Sequence, residues 1–405
     1  MNDHYLAIEV QIYPTKLQKK QLNQAFGCSR YLYNHYLQKK NEVYRETGKN
    51  FNYYDCCSDL VQLKKTLTWL RETNSQSLQA TLRQLEGAFL NFFRGKTKFP
   101  KFKKRSNHQS FHIPQHFSVD QENQTLKIPK MESLKFRGGN FSNVKEYCSI
   151  AISKTPSGKY FASILSVKEI PAGGYSTNTI GIDLGLKDFA VCSNGTKISK
   201  PKKSKTKHLK YLQKKHAKKT KGSKQREKLR IKIARIYERS TNKLKDFHHK
   251  LSKKIVDENQ VVAVETLSVK NMMKNHCLAR AIQESGWSQF LQFLEYKAKI
   301  YGRNFVKIDR WYPSSKSCSE CGGINESLKL SQREWTCAEC ATVHDRDVNA
   351  ARNILRQGIN ELSGTGTVSD IKQKQVEALT SDNTSGIVGY VESMTLEALT
   401  SLDVV

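Results

Sequence analysis

Two kinds of chemistry are crowded into the stretch from Ser317 to Leu355. Cys318, Cys321, Cys337 and Cys340 form a C-x2-C-x15-C-x2-C array. Each pair fits one tight knuckle turn, and two knuckles can close a tetrahedron of thiolates around one Zn2+. Two incidental pairs of buried cysteines are the competing reading, and this spacing disfavours it. Four thiolates leave no open coordination position, so such a zinc would fold a small module and catalyse nothing.

Directly after the last cysteine pair comes His344-Asp345-Arg346-Asp347-Val348-Asn349, then Ala350, Ala351, Ile354 and Leu355 on one helical face. That places Asp347 in the first turn of a helix attached to the cysteine module. An isolated aspartate there would only complement the helix dipole. Two further carboxylates argue for more. The apolar run Ile180-Gly181-Ile182 ends in Asp183, and the β-branched run from Val261 to Val264 ends in Glu265. Runs of this kind are strands buried on both faces, and a charge at the end of one is costly unless it is paired or binds a cation. Together, Asp183, Glu265 and Asp347 can hold one or two Mg2+ ions that align a water and a leaving oxygen for phosphodiester hydrolysis. Asp188 and Asp345 are the nearest substitutes within the two aspartate motifs. Residues and spacing alone point to a metal-dependent enzyme acting on nucleic acid.

The segments GIDLGLKDFA (181 to 190), VVAVET (261 to 266), CSECG, CAEC and HDRDVNAARNI (344 to 354) resemble the TnpB (OrfB) family of insertion-sequence RNA-guided nucleases, which is similar to the smallest type V CRISPR effectors. The resemblance runs from Tyr13-Pro14 to about Leu355, with no departure at the three acidic positions. It implies a multidomain α/β protein: an RNase H-like (RuvC) catalytic domain with an inserted zinc ribbon, and a β-barrel carrying a helical insertion. It implies the activity of a transposon's RNA-guided DNA endonuclease, Mg2+-dependent and cutting beside a short adjacent motif, with guide RNA and target double-stranded DNA as partners. By position in that family, Tyr53, Cys57, Ser77 and Gln79 would face the DNA. Transposase or integrase strand transfer with the same carboxylates is the alternative, and a non-cleaving RNA-guided binding protein is a third reading.

The composition fits a polyanionic partner. Lys and Arg number 68 against 37 Asp and Glu, a formal net charge of +31; such an excess favours nucleic acid. No signal peptide, lipidation motif or apolar run of spanning length argues for a membrane. A cytoplasmic monomer, nucleoid-associated when bound to DNA, is expected. Cys28, Cys56, Cys57, Cys148, Cys192 and Cys277 show no disulfide-like framework, as in a reducing compartment.

Along the chain, residues 4 to 13 alternate as a strand, and helical periodicity follows from Thr15 to Phe93, with Leu17, Leu22, Phe26, Tyr31, Leu32 and Leu37 as apolar positions. From Arg94 to Arg105, phenylalanines interleave with basic residues around Pro100. That pattern marks a segment that tracks a backbone and stacks on bases, with Lys101, Lys103 and Lys104 as contacts. Short strands follow to about residue 170. The expected domains are therefore a wedge-like β-barrel (1 to 14 and 106 to 172), the helical insertion (15 to 105), the nuclease domain (175 to 312 and 341 to 357) and the zinc ribbon (313 to 340). The segment Lys200 to Lys254 is dense with lysine and arginine against only Glu227, Glu238 and Asp246. From Arg226 it reads as a helix with an apolar stripe (Leu229, Ile233, Ile236, Leu244, Phe247, Leu251, Ile255). Arg226, Arg230, Arg235 and Arg239 on its other side would contact phosphates. Residues 268 to 284 read as a loop, and 358 to 405 as a disordered acidic tail.

Overall fold

The structure is a computed structural model that describes residues 2–106, 108–171, 174, 176–201, 206–329 and 331–364. Ala172 and Gly173, at the end of the expected β-barrel domain, and residues 365 to 405 of the expected acidic tail lie outside the described residues. The chain divides into two compact units, 1–170 with 205–238, and 171–204 with 239–405.

In the first unit, β1 (Asn2–Ile12) leads into three α-helices: α1 (Lys16–Thr47), α2 (Tyr53–Thr66) and α3 (Ser75–Phe93). Six strands follow: β2 (Gln109–Ile113), β3 (Ser118–Asp120), β4 (Thr125–Lys127), β5 (Leu134–Arg137), β6 (Val144–Lys154) and β7 (Tyr160–Ile170). Thr15 and Gln18 cap α1 reciprocally, each side chain accepting from the other's backbone N–H, which satisfies two donors of the first turn. All seven strands pair antiparallel in the order β2-β6-β7-β1-β5-β4-β3. Among the described residues β2 and β3 do not pair, so the expected barrel is a curled sheet with two free edges. Its inner face and Leu22, Ala25 and Phe26 of α1 share one core.

The helices build a second core from Leu32, Tyr36, Leu37, Leu60, Leu78, Leu82 and Leu85. Leu17 and Tyr31, expected as apolar face positions, are exposed instead. The basic and aromatic segment after α3 is docked rather than free, because the Asn34 amide exchanges two hydrogen bonds with the Lys103 backbone (2.7 and 2.9 Å).

The second unit holds β8 (Thr179–Asp183), β9 (Ala190–Cys192) and β10 (Lys197–Ile198). The helix α4 (Thr206–Ala217) belongs to the first unit, and the long α5 (Lys224–Glu258) is divided between the two. Next come β11 (Val261–Glu265), α6 (Val269–Met272), α7 (His276–Ser285), α8 (Trp287–Ile300) and β12 (Asn304–Ile308). The stretch expected as a loop thus contains two helices, α7 capped by Asn275 at its start and by Gly286 in the left-handed region at its end. The hairpin β13 (Glu334–Thr336) and β14 (Val343–Asp345) then feeds α9 (Arg346–Gly364). This helix runs past the Gln357 boundary expected for the tail.

The sheet order is β10-β9-β8-β11-β12. β8, β11 and β12 are parallel, and β9 and β10 extend the sheet antiparallel. Parallel strands need both faces covered, and both are. Phe247, Leu251, Ile255 and Val256 of α5 join Phe290 and Leu294 of α8 in one core with the strands, while Ile354 of α9 packs with Ala263 and Ile308. The approach of α9 is close enough to need glycine. A Cβ on Gly181 would stand 2.1 Å from the Ala351 carbonyl oxygen, and one on Gly358 would stand 2.6 Å from the Ala263 Cβ.

Candidate metal centre and its cysteine module

The parallel register sets the carboxylates side by side. Ile182 lies opposite Val264 in the β8–β11 pair, so Asp183 and Glu265 leave the sheet at the same edge, at the carboxyl ends of adjacent strands. The third carboxylate arrives on the first turn of α9, held against β8 by the Gly181 contact. Asp183, Glu265 and Asp347 line one cleft of roughly 360 Å³ with Tyr312, Pro313, Ser314, Ser315, Lys316, Arg346 and Ala350. Of the substitutes weighed, neither Asp188 nor Asp345 lines it. Asp345 instead caps α9, accepting from the N–H groups of Asp347 and Val348 (both 3.1 Å), and it pairs with Lys197 at 2.6 Å.

The electrostatics of the cleft are uneven. Burial, reinforced by the charges of Glu265 and Asp347, pushes the Asp183 carboxyl up to about 7, against the opposing pull of Arg346 and Arg333. Burial also raises Glu265. Among the described residues neither carboxylate receives a hydrogen bond from a donor. Asp347 is fully engaged: Arg333 Nη1 donates to Oδ2 at 2.6 Å, and Arg346 donates to Oδ1 from Nη2 at 2.9 Å and Nε at 3.1 Å. Carboxylates left without donors in a shared cleft match the hard oxygen donor set that Mg2+ takes.

The four cysteines also converge. Their sulfurs lie within 4.8 Å of one another, so the cluster can hold a metal ion. Hydrogen bonding with the Thr342 side chain and backbone draws Cys340 down to about 6. The Gly323 N–H favours the Cys321 thiolate, but burial and the neighbouring thiols outweigh it and push that group up to about 12. Close-packed thiols with such opposed tendencies are what a shared cation resolves. Around them, Cys318, Trp335 and Cys337 form a small core, and the buried His344 brings Nε2 to 3.0 Å from Cys318 Sγ.

Sequence reasoning missed the parts that join the module to the cleft. Asn349 and Asn353 are buried on α9. Asn349 donates to the Ser317 carbonyl (2.7 Å) and accepts from the Ser319 N–H (2.8 Å). Asn353 donates to the carbonyls of Ser314 (2.8 Å) and Ser317 (2.6 Å). Two asparagines four residues apart beside an Ala- and Ile-lined helical face were the available signal, since Asn is a poor helix former unless its amide has a task. Arg333 and Lys316 were also missed, because neither belongs to a motif.

The residues expected to meet nucleic acid divide by environment. Arg235 and Arg239 are exposed on α5, four residues apart. Arg230 is bidentate to Glu227 (2.7 and 2.6 Å) and also donates to the Pro156 carbonyl, and Arg226 donates to the Lys219 carbonyl. Lys101 and Lys104 are exposed, whereas Lys103 is partly buried with Nζ 4.0 Å from the Tyr33 ring centroid. In the helical block the Tyr53 hydroxyl accepts from Arg83 (3.2 Å), Cys57 is half-buried and Gln79 is exposed. Ser77 is wholly buried and lines a cavity with Asn74, Phe111 and Met131.

Comparison with known proteins places this architecture. Three family models match: a helix-turn-helix domain over residues 1–49, OrfB_IS605, described as "Probable transposase", over 164–276, and the Cas12f1-like TNB domain over 287–354. A protein of Streptomyces pristinaespiralis is 38% identical over 359 residues, covering 87% of this chain and 89% of its own. One of Escherichia coli K12 is 30% identical over 376 residues, covering 87% and 92%. Both carry the name "Putative RNA-guided DNA endonuclease", the second as InsQ. The fold also matches the protein chain of a Cas12f1–sgRNA–target DNA complex with a TM-score of 0.53 at 16% identity, over 83% of this chain and 82% of that one. The chain belongs to the TnpB (OrfB) family. Within the stretch 1–49 matched as a helix-turn-helix, the elements among the described residues are β1 and the 32-residue helix α1. Among the described residues no helix is long and apolar enough to cross a membrane.

Proposed function

We propose that this chain is a transposon-encoded, RNA-guided DNA endonuclease that hydrolyses phosphodiester bonds with Mg2+ at Asp183, Glu265 and Asp347. The observation that carries this reading is the convergence of three carboxylates, from two parallel strands and a helix, in a single cleft. Carboxylates at the ends of adjacent parallel strands, with a third brought by a covering helix, support the RNase H-like (RuvC) class. Bound Mg2+ would supply Lewis-acid activation of a water and neutralise charge on the leaving oxygen. The chain's own groups hold that cation, exclude bulk water and orient the strand. Lys316, which is exposed, and the partly buried Tyr312 flank the carboxylates where a phosphate would lie. In the net reaction, water adds to phosphorus and the bond from phosphorus to the leaving oxygen breaks.

The cysteine cluster fits one structural Zn2+, soft thiolates being its usual ligands, in a zinc ribbon spanning 313 to 340. The guide would read sequence by base pairing, while the curled sheet and the helical block read duplex shape and a short adjacent motif. Arg235, Arg239, Lys101 and Lys104 are exposed cations suited to backbone phosphates.

The test is to express the chain with its native flanking DNA, purify it through high salt and sequence the RNA that remains. A single discrete species with a variable end, followed by Mg2+-dependent cutting of DNA matching that end, supports the reading. Joined products would indicate strand transfer. Binding without cutting, unchanged by Asp183→Ala, would indicate a targeting protein.

A further inference from the structure

We infer that Arg333 is a displaceable counter-ion for the metal site, leaving Asp347 when a divalent cation binds. The inference rests on the reading of Asp183, Glu265 and Asp347 as metal ligands and adds a positioning residue to it.

Three carboxylates face two guanidiniums in this cleft. Both oxygens of Asp347 are engaged, Oδ2 by Arg333 and Oδ1 by Arg346, while Asp183 and Glu265 have no donor among the described residues. One carboxylate is thus neutralised by the protein and two await a cation. A divalent ion added to this set would confront two positive charges at one of its own ligands. Like charges so close in a partly buried site repel strongly, so one guanidinium must yield.

The surroundings show which one. The Arg346 side chain is 13% exposed, is tethered to Asp347 by two nitrogens, and also donates to the Gln332 carbonyl (3.3 Å). The Arg333 side chain is 45% exposed and makes a single contact with Asp347. Its backbone is nevertheless fixed, since the Arg333 carbonyl accepts from the Arg346 N–H at 2.8 Å, and the next residues pair as Glu334↔Asp345 and Trp335↔His344. Cys337 follows directly after that strand. The cysteine module thereby holds a mobile cation at a fixed distance from the metal site, able to cover Asp347 in the absence of metal and to release it on loading.

The opposite arrangement is also physically sound, because outer partners of a ligating carboxylate usually strengthen metal binding. The two differ in sign. The experiment measures Mn2+ binding by electron paramagnetic resonance on the full chain freed of nucleic acid, in wild type, Arg333→Gln, Arg333→Lys and the Asp183→Asn/Glu265→Gln double variant. Removing a competing ion pair of this exposure should tighten binding at the carboxylate site about threefold to tenfold in Arg333→Gln. Arg333→Lys, which keeps the charge, should stay near wild type. Unchanged or weaker binding in Arg333→Gln overturns the inference and makes Arg333 a fixed outer partner. If wild type and the double variant bind Mn2+ equally, there is no carboxylate metal site, and the proposed function falls with it.

Discussion

Asn353 donates from Nδ2 to the Ser317 carbonyl at 2.6 Å, so the helix that carries Asp347 is bonded directly to the residue preceding the first zinc-ligand candidate, Cys318. Replacing Asn353 by Ala leaves the buried carbonyls of Ser314 and Ser317 without this donor. The expected cost is about 2 kcal/mol, read by urea denaturation, together with faster loss of metal from the cysteine cluster to a chromogenic chelator. A variant with unchanged release would show that the asparagine strap does not hold the first knuckle.

The contact between Gly181 and α9 predicts that Gly181→Ala is severe although both residues are small. The added Cβ would meet the Ala351 carbonyl oxygen at 2.1 Å, and the helix must move away or the strand must bend. Overpacking of this kind costs about 1–3 kcal/mol or more. Cutting should fall further than stability, because Asp347 shifts relative to Asp183. A crystal structure or a metal-binding titration of the variant checks the displacement.

Removal of the cysteine cluster's metal, or Cys337→Ser, should unfold the module and leave the two sheets intact. Its core of Cys318, Trp335 and Cys337 is small, and the structural zinc proposed above would add roughly 10 kcal/mol to its folding. Limited proteolysis should then cut between residues 313 and 345, with little change in far-ultraviolet circular dichroism. Metal content by mass spectrometry identifies the ion.

Asp183→Asn should abolish cutting and yet stabilise the fold when no divalent cation is added. The Asp183 carboxyl stands at about 7 in the folded chain against an ordinary value of 3.8. The folded state therefore binds more protons than the unfolded state between these values, and wild-type stability falls relative to the Asn variant as pH rises through that window. Above about pH 7 the variant should be more stable by about 1–3 kcal/mol. Thermal melts across pH 4 to 8 check the sign.

Arg235 and Arg239 are exposed on α5, whereas Arg230 is held by Glu227. Alanine at both exposed positions should lower the slope of log affinity for RNA against log salt by about 1.4, at roughly 0.7 per phosphate contact on a single strand. Arg230→Ala should change the slope little. Filter binding from low to moderate salt separates the two outcomes.

Much of the candidate site was legible because its signals are local. A thiolate tetrad needs paired knuckles at short spacing, and a carboxylate closing an apolar β-branched run stands out against its neighbours. The strands around Asp183 and Glu265 and the helix start at Asp347 follow from periodicity and composition. Errors arose where the deciding contact is distant in sequence. Leu17 and Tyr31 fit a helical stripe but fall outside the core that the curled sheet and helical block select. Lys103 looks like a free cation until Asn34 and Tyr33 are placed beside it. Ser77, expected at a DNA-facing position, is buried because α3 turns that face inward.

The sequence by itself determined which residue types could bind metal and which surface had to be cationic, since ligand chemistry and net charge belong to residues wherever they lie. Only the tertiary structure decided that β8 and β11 run parallel in a register that sets Asp183 beside Glu265, and that Gly181 admits α9 so that Asp347 joins them. It also decided that Arg333 occupies Asp347. These are matters of distance between segments far apart in the chain, and no local pattern encodes a distance that packing alone sets.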